Sequence, residues 1–269
     1  MTHIAETFRA LHVAGDPLVM VNVWDCGSAR MMQSMGAKAL ATSSAAHAFT
    51  LGRGDGGTVT RDEALAHAQD IVSATNLPVQ GDFENGFGDA PDDCAQTVRL
   101  AAEIGLAGIC IEDTMFPDGT PYPFDLAVER MAAAAAAARS LPHDFMLTAR
   151  ADGIMIGHYD TDEAIRRLQA FEAAGVDCLY APLPPDMAAQ ARICASVKAP
   201  VNALAAGPFA AQSRKAFGQA GVARISIGSA LARVTHRALA EIGHGMINDG
   251  DFTGLQAAIS GDIVDKMIR

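Results

Sequence analysis

Two carboxylates follow a short apolar run and are separated by a single residue. The apolar run covers residues 77–79, Asp82 and Glu84 come after it, and Gly86 and Gly88 follow them. Alternate side chains of a strand point to the same face, so Asp82 and Glu84 face one side together if the strand continues that far. Two carboxylates held close together repel unless a cation lies between them, and Mg²⁺ is a hard cation that prefers oxygen ligands. The alternative interpretation is a polar strand end that turns into a surface loop.

A second apolar run also ends in acidic residues. Residues 107–111 carry only apolar side chains and one glycine, and Glu112 and Asp113 follow them directly. Two successive strands that end in acids indicate one acidic site built from neighbouring strand ends. A parallel α/β barrel keeps its catalytic residues at this end of its strands.

Two further polar residues close apolar runs later in the chain. Arg150 lies just past the run 145–148, and its planar guanidinium matches a carboxylate or phosphonate of a substrate. The alternative for Arg150 is a salt bridge to Asp152. Asn202 ends another apolar run, where its amide is predicted to donate to a substrate oxygen.

Several other residues have a structural and a functional interpretation. Trp24 ends the first apolar run and is predicted to line a pocket, whereas Asp25 is predicted to have a structural role such as capping the next helix. Asp55 lies in a Gly-Asp-Gly sequence, which is typical of an ordinary turn. His47 and His158 are isolated histidines, and both are interpreted as structural.

Charge and cysteine content restrict the functional classes. The 269 residues carry a net charge of −11, which disfavours a nucleic-acid surface, although a metal and a buried arginine can reverse the sign locally. The five cysteines include no Cys-x-x-Cys pair and indicate free thiols in a reducing compartment: Cys26, Cys94, Cys110, Cys178 and Cys194. The sequence shows no secretion signal and no apolar run long enough to span a bilayer. We therefore predict a soluble, cytoplasmic protein with no membrane contact.

Apolar runs alternate with helical segments eight times. The predicted strands cover residues 18–23, 38–43, 78–82, 106–111, 145–148, 176–181, 200–204 and 222–227. This rhythm indicates parallel pairing through helical crossovers, and eight units favour a (β/α)₈ barrel. An open doubly wound sheet is the alternative, but no G-x-G-x-x-G follows the first strand. We predict a single barrel domain over residues 1–269, with a C-terminal helical extension from about residue 245 to residue 269.

The motifs taken together resemble the phosphoenolpyruvate mutase/isocitrate lyase superfamily. The most specific are residues 81–88 (Gly-Asp-Phe-Glu-Asn-Gly-Phe-Gly) and residues 108–113 (Gly-Ile-Cys-Ile-Glu-Asp). Weaker matches follow in order from about residue 18 to residue 229: Trp24-Asp25, residues 28–30, residues 51–55, residues 148–150, residues 200–202 and residues 224–228. The resemblance implies the barrel fold and an enzyme of this superfamily.

The resemblance also implies a ligand set. The residue that matches Asp82 binds Mg²⁺ directly in this superfamily, and those that match Asp55, Glu84 and Glu112 hold its water shell, with Mn²⁺ as an alternative ion. The superfamily usually has Asp at the position of Glu84. The arginine matching Arg150 contacts the substrate, so Arg150 and Glu112 are the predicted catalytic residues. The turn Ser43, Ser44 and Ala45 is expected to bind a substrate carboxylate through backbone N–H groups and a hydroxyl, unless it is only a short polar turn.

The loop at residues 113–123 separates the activities within this superfamily. Isocitrate and methylisocitrate lyases carry Lys-Lys-Cys-Gly-His here, and the mutases and phosphonopyruvate hydrolases place a lysine soon after Phe-Pro. This loop has no Cys, Lys or His, and Asp118 follows Phe116-Pro117 in the place of that lysine. A carboxylate cannot stabilise a transferring phosphoryl group as a lysine does.

The chemistry that is common to the rest of the superfamily needs only the metal, Arg150 and the turn at residues 43–45. We predict a Mg²⁺-dependent carbon–carbon lyase that acts on a small 2-oxo or 2-hydroxy dicarboxylate through a metal-stabilised enolate. Phosphorus–carbon chemistry and the decarboxylation or hydrolysis of oxaloacetate are alternatives. The non-enzymatic alternative is a barrel that binds a small acid.

The C-terminal segment carries an apolar stripe that a complete barrel does not need. Its apolar positions are Leu255, Ile259, Ile263, Val264 and Ile268. We expect a homo-oligomer whose subunits exchange C-terminal helices, with dimers paired into tetramers as the resemblance implies. The alternative is a helix folded across the bottom of its own barrel.

Overall fold

Among residues 2–269, nine strands form one parallel sheet, and its two edge strands, Leu18–Val19 and Val21–Asn22, are consecutive segments of the chain. The computed structural model describes residues 2–269, and its side chains from Ile4 onward. The strands are β1 (Leu18–Val19), β2 (Val21–Asn22), β3 (Leu40–Ala41), β4 (Val79–Asp82), β5 (Gly108–Glu112), β6 (Thr114–Met115), β7 (Thr120–Pro121), β8 (Met146–Arg150), β9 (Cys178–Tyr180), β10 (Val201–Leu204) and β11 (Arg224–Ser226). All except β6 and β7 belong to this sheet, in the order β1-β11-β10-β9-β8-β5-β4-β3-β2.

The two segments of the first strand close the sheet into a barrel. Leu18 pairs with Arg224 of β11, whereas Val21 pairs with Leu40 of β3. Between them, the N–H of Met20 donates to the carbonyl of Ile225 over 2.8 Å. With β1 and β2 taken as one strand, eight strands form a nearly closed barrel, which confirms the predicted (β/α)₈ fold.

Eleven α-helices are found among residues 2–269, and most of them cover the outside of the barrel. They are α1 (Thr2–Ala10), α2 (Cys26–Ser34), α3 (Ser44–Thr50), α4 (Arg61–Ala74), α5 (Pro91–Glu103), α6 (Phe124–Arg139), α7 (Thr161–Ala173), α8 (Met187–Ala195), α9 (Arg214–Gln219), α10 (Ala230–His244) and α11 (Gly261–Ile268). Local signals place several of their first residues. Thr60 and Glu63 form a capping box at the start of α4, and Asp25 accepts the N–H of Ser28 over 2.6 Å at the start of α2, where a capping role was predicted for it.

Burial follows the layers of the barrel. All five residues of β5 are buried, as expected for a strand covered on both faces. The run of seven alanines in α6 packs against the protein, with Ala134, Ala135, Ala137 and Ala138 buried. Small side chains of this kind let α6 lie close to its neighbour α5. All five cysteines are free thiols, as predicted.

Three segments differ from the sequence prediction. The turn at residues 43–45 is the start of α3, which the sequence did not predict as a helix. The loop 113–123 contains the antiparallel hairpin of β6 and β7. The helical segment expected between the strands at 200–204 and 222–227 is a 3₁₀ turn, Gly207–Ala211, followed by the short helix α9.

The C-terminal segment is only partly packed on its own barrel. Helix α10 has a single buried residue, Ala232, and continues into a π-helical turn at Gly245–Asp249. The predicted C-terminal helical extension is therefore not one continuous helix, since the π-helical turn is followed by a 3₁₀ turn, Thr253–Ala257, and then by α11. Helix α11 lies against α2 of the same chain, where a guanidinium nitrogen of Arg30 donates to the carbonyl of Ile268 over 3.2 Å. The expected exchange of helices between subunits therefore stays a prediction.

Apolar helices of the length that a bilayer requires do not occur in residues 2–269.

Candidate active site at the carboxyl ends of the strands

Three of the predicted site residues, Asp82, Glu112 and Arg150, lie at the ends of the neighbouring strands β4, β5 and β8. Asp82 at the end of β4 lies opposite Cys110 of β5, and Glu112 at the end of β5 lies opposite Arg150 of β8. All three charged side chains therefore reach the same end of the barrel. This is the end at which (β/α)₈ barrels place their catalytic groups.

Asp82 is held by the residue that begins α3. Both the backbone N–H and the hydroxyl of Ser44 donate to Oδ2 of Asp82, each over 2.9 Å. The N–H of Asp82 donates to Oγ1 of Thr42 over 2.8 Å, which fixes the backbone from the other side. The Asp82 carboxylate is thus oriented by Ser44 at the start of α3, while Thr42, just after β3, fixes the backbone of Asp82.

Glu84 reaches the site through a turn and not through strand alternation. Strand β4 ends at Asp82, and Glu84 has a φ of 43°, in the left-handed region. Its Oε1 accepts the N–H of Gly57 over 3.2 Å, and the residue is 4% exposed. Burial raises the pKa of Glu84 to about 7, the Gly57 N–H opposes this, and the charges of Asp82 and Asp55 add to it.

Arg150 is shared between two acids. Its guanidinium forms an ion pair with Glu112 over 3.0 Å, and its Nε donates to Asp152. Burial raises the pKa of both carboxyls, and the charge of Arg150 opposes that shift in each. The salt bridge to Asp152 that was the alternative interpretation is therefore present, together with one to Glu112. The Arg150 side chain remains 16% exposed, so part of it faces the cavity.

A cavity of about 170 Å³ opens above these residues. Because one water molecule occupies about 30 Å³ of the liquid, this volume accommodates several waters or a small organic acid. It is lined by Ser44, Asp55, Gly56, Glu84, Glu112, Thr114, Phe116, Gly119, Arg150, Asp152, Met155 and Ile156. Although Asp55 is an exposed residue, packing around its carboxyl and the charge of Asp82 raise its pKa.

The donor set fits a hard cation that keeps much of its water. Asp55, Asp82, Glu84 and Glu112 supply oxygen atoms only, and Arg150 is the cation among them. In the part of the chain that the structure describes, no three His, Cys, Asp or Glu side chains are grouped closely enough to ligate an ion directly. Mg²⁺ is commonly held by one or two carboxylates and several waters, which agrees with this spacing.

The structure gives the remaining predicted site residues different surroundings. Ser43 is the N-cap of α3, where its hydroxyl accepts the N–H of Ala46, and Ala45 is buried in the same helix. Trp24 is half-buried, and its carbonyl accepts a hydrogen bond from His67. Among the described cavities at this end of the barrel, neither Trp24 nor Ala45 is a lining residue. Asn202 lines the cavity inside the barrel.

A polar network below the site was missed by the sequence analysis. Arg224 is 1% exposed and donates to Oδ1 of Asn202 over 2.9 Å, to Oε1 of Gln80 over 2.7 Å and to Oγ1 of Thr148 over 3.3 Å. These residues interrupt four apolar strands with polar side chains, which is the signal that could have indicated the network. Since the Asn202 amide also donates to Ser226, both of its polar atoms have partners inside the barrel.

The two histidines left outside the predicted site have different positions. His47 is buried and stacks on His67 with ring centroids 3.8 Å apart, next to Asp82 and Glu84 in a small pocket wall. Burial, with the neighbouring His67, lowers the pKa of His47 to about 4, so its ring is neutral at physiological pH. His158 lies in a turn, where its N–H donates to the carbonyl of Gly153.

Comparison with known proteins supports the resemblance noted in the sequence. The chain is 32% identical over 224 residues to the uncharacterized protein Rv1998c of Mycobacterium tuberculosis (strain ATCC 25618 / H37Rv), covering 83% of this chain and 82% of that protein. It is 28% identical over 253 residues to 2-methylisocitrate lyase of Shewanella oneidensis (strain MR-1), covering 90% and 85%. The crystal structure of a candidate lyase/mutase from Burkholderia cenocepacia J2315 has a TM-score of 0.94 and 43% identity, covering 98% of this chain and 95% of that one.

The family assignment rests on most of the chain. The family model described as phosphoenolpyruvate phosphomutase matches residues 8–247. This range contains every strand of the barrel and all of the charged residues around the cavity. The chain therefore belongs to the phosphoenolpyruvate phosphomutase family.

Proposed function

We propose that this protein is a Mg²⁺-dependent carbon–carbon lyase for a small 2-oxo or 2-hydroxy dicarboxylate. The observation that carries the proposal is the excess of negative charge around the cavity. Asp55, Glu84 and Glu112 line the cavity, and burial together with the nearby charge of Asp82 raises the pKa of all three carboxyls. Arg150 is already paired with Glu112 and Asp152. A bound divalent cation relieves the repulsion among these acids.

The residues have separate tasks in this proposal. Asp82 would hold the ion through the oxygen that Ser44 leaves free, and Asp55, Glu84 and Glu112 would accept hydrogen bonds from its waters. When bound, Mg²⁺ supplies Lewis-acid polarisation of a carbonyl next to the cleaved bond. Arg150 orients a substrate carboxylate with its guanidinium, which Glu112 and Asp152 hold in place. The phenyl ring of Phe116 lines the cavity and supplies an apolar part of its wall.

Relatives with assigned activities support the substrate class. Besides 2-methylisocitrate lyase, the chain is 30% identical over 194 residues to oxaloacetate decarboxylase of Paraburkholderia xenovorans (strain LB400), covering 69% of this chain and 63% of that protein. Both names specify a small polycarboxylic acid as the substrate. One names a lyase, and the other names a decarboxylase, which breaks a carbon–carbon bond. This supports a lyase in preference to a non-enzymatic acid-binding barrel.

The test is product release from a panel of 2-oxo and 2-hydroxy dicarboxylic acids, followed by NMR with Mg²⁺ or with EDTA. We expect at least one acid to be cleaved only when Mg²⁺ is present. Asp82→Asn should abolish cleavage, while Asp16→Asn, at an exposed ion pair with Arg214, should leave it unchanged. Cleavage that persists in EDTA, or in Asp82→Asn, would contradict the proposal.

Phosphorus–carbon chemistry is the second candidate, because the matched family is named for phosphoenolpyruvate phosphomutase. The exposed Asp118 stands where the mutases and hydrolases are expected to carry a lysine. We therefore expect phosphonopyruvate to be a poor substrate. Turnover near ~10 s⁻¹, a typical value for enzymes, would restore this candidate.

We also propose that the protein assembles as a dimer, with dimers paired into tetramers. Val19 of the barrel strand β1 is 43% exposed, although strands of a complete barrel are normally covered by helices. The C-terminal segment exposes large apolar side chains as well: Val234, Leu239, Ile247, Phe252, Leu255, Ile259 and Ile263. A second copy of the chain offers a matching apolar surface to both.

A further inference from the structure

An arginine next to the site is fully buried without an acidic partner. Arg130 of α6 is 0% exposed, and no salt bridge to it is found among residues 2–269. One of its terminal nitrogens donates to the carbonyl of Gly88 over 2.6 Å, and the other donates to the carbonyl of Asn85. Its Nε has no hydrogen-bond partner. Burying a charge with only neutral partners is unfavourable, so this placement calls for an explanation.

The two carbonyls that Arg130 binds belong to the turn that carries Glu84. Three residues of this turn have left-handed backbones: Glu84 with a φ of 43°, Gly86 with 86° and Phe87 with 63°. Glutamate and phenylalanine are disfavoured in this region, because their Cβ atoms crowd the following carbonyl. The conformation therefore needs contacts from outside the turn to persist.

Tyr122 completes the support from the same side. The guanidinium of Arg130 lies over its ring, 4.0 Å from the centroid. The Tyr122 hydroxyl accepts a hydrogen bond from Nδ2 of Asn85 over 2.9 Å and donates to Oδ1 of Asp89 over 2.6 Å. The other side-chain atom of Asn85, Oδ1, accepts the N–H of Phe87 over 3.0 Å. Arg130 and Tyr122 thus hold both ends of the left-handed turn.

We propose that Arg130 is a positioning residue that keeps the Glu84 carboxylate in the active site. The turn directs Glu84 toward the N–H of Gly57 and into the cavity that also contains Asp55 and Glu112. If Arg130 is lost, the Asn85 and Gly88 carbonyls lose their charged donor, and the backbone can relax toward ordinary φ values. The Glu84 carboxylate then leaves its place beside the other acids. This inference rests on the proposed function, in which Glu84 accepts a hydrogen bond from a metal-bound water.

Two measurements on the intact protein test the role of Arg130. The first is hydrogen exchange of the amides at residues 84–89, which reports on the turn without any metal. The second is Mn²⁺ affinity, followed by electron paramagnetic resonance. Arg130→Met removes the charged donors at similar length, and Arg130→Lys restores one donor. Leu168→Ala, in the core of α7, is the control for a general loss of stability.

We expect Arg130→Met to expose the amides of residues 84–89 to exchange and to weaken Mn²⁺ binding roughly 10-fold, as loss of an outer support of a metal site typically does. Arg130→Lys should recover part of both effects. Leu168→Ala should change neither, even if its melting temperature falls as far. Exchange in Arg130→Met that matches the wild type, or that matches Leu168→Ala at equal stability, would overturn the inference.

Two further outcomes separate this inference from the proposed function. If the wild type binds no Mn²⁺, the proposed function fails, and the exchange of residues 84–89 still decides the role of Arg130. If Arg130→Met does not fold, Tyr122→Phe takes its place, since it removes the hydroxyl but keeps the ring. Tyr122→Phe would support the inference if the amides of Asn85 and Phe87 exchange faster than in the wild type and neither Mg²⁺ nor salt reverses this. Unchanged exchange of these amides would overturn it.

Discussion

Ser44 donates both its backbone N–H and its hydroxyl to the same carboxylate oxygen of Asp82, each over 2.9 Å. The arrangement leaves Oδ1 of Asp82 without either donor and fixes the direction in which that oxygen points. It also explains why α3 begins where it does, since its first N–H groups have no partner inside the helix. The turn at residues 43–45 was predicted to bind the substrate, and in the structure its Ser44 binds Asp82, the proposed metal ligand.

Ser44→Ala should weaken Mg²⁺ binding without unfolding the protein. The variant keeps the backbone N–H but loses the hydroxyl, so Asp82 is held by one hydrogen bond from this residue in place of two. We expect a roughly 10-fold loss of Mg²⁺ affinity, the lower end for losing an outer contact of a metal ligand. Isothermal titration measures it. Ser34→Ala, whose hydroxyl donates to Met31 in α2, is the control and should bind as the wild type does. Equal affinity in both variants would show that the hydroxyl is unimportant.

Arg150→Lys should lower kcat/KM on the true substrate by at least about tenfold. A lysine cannot pair with Glu112 and Asp152 and still present two donors to a substrate carboxylate. Steady-state kinetics with Mg²⁺ at saturation measures the effect. Arg192→Lys, in an exposed ion pair with Asp162, should leave kcat/KM unchanged. An unaltered value in Arg150→Lys would remove this residue from the proposed mechanism.

The stability of the protein should depend on pH through His12. Nε2 of His12 lies 3.2 Å from a guanidinium nitrogen of Arg224. Because an arginine only donates, Nε2 accepts, and Nδ1 therefore donates to the carbonyl of Phe8 over 2.8 Å. Burial, with the charge of Arg224, lowers the pKa of His12 to about 3 from an ordinary value near 6.5. The folded state thus resists protonation, whereas the unfolded state accepts a proton below about pH 6.5.

The sign of this dependence is fixed by which state binds the proton. Between about pH 6.5 and 3 the unfolded state holds one more proton at His12, so the free energy of unfolding falls as the pH falls, by up to about 1.4 kcal/mol per pH unit. Urea unfolding of the wild type and of His12→Gln at pH 7, 6 and 5 measures it. The difference between the two proteins should shrink toward acid pH. A difference that stays constant would show that His12 does not titrate in this way.

Removal of the C-terminal segment should reduce the protein to a smaller assembly. A chain ending at Gly245 lacks Ile247, Phe252, Leu255, Ile259 and Ile263, all of them large exposed apolar residues. We expect light scattering to show a tetramer for the full chain and a smaller species for the truncated one. A full-length chain that is monomeric at micromolar concentration would end the assembly proposal. A tetramer that survives truncation would place the interface elsewhere, with the exposed Val19 as the next candidate.

The main features of the barrel could be predicted because they are local. Each strand is an apolar run of usual length, and Asp82, Glu112 and Arg150 stand where such a run stops, so their meeting follows from parallel pairing. Arg130 could not be found this way. In sequence it is one charged residue in a helix with Asp125, Glu129 and Arg139, and only the packing of α6 shows that it points inward.

Glu84 illustrates the second limit of sequence reasoning. Alternation along a strand predicts the side to which a side chain points only within the strand, and β4 ends at Asp82. The left-handed φ of Glu84 depends on distant partners, namely Arg130 and the N–H of Gly57. Helix α3 was missed for a related reason. Its seven residues, 44–50, are too few to show a helical repeat in the sequence, and its first residue, Ser44, is held by the distant Asp82.

The split first strand has a consequence for how the chain acquires its structure. Leu18 finds its partner Arg224 near the other end of the sequence, whereas Val21 pairs with Leu40 close by. Pairings between distant segments are slow to form, because the chain must lose the entropy of closing a long loop before the new contacts stabilise it. Until β11 has been synthesised, β1 and β10 each present an open edge to other chains. Sealing the barrel at β1 is therefore expected to be a late folding step, and the period before it is when the nascent protein is most exposed to aggregation.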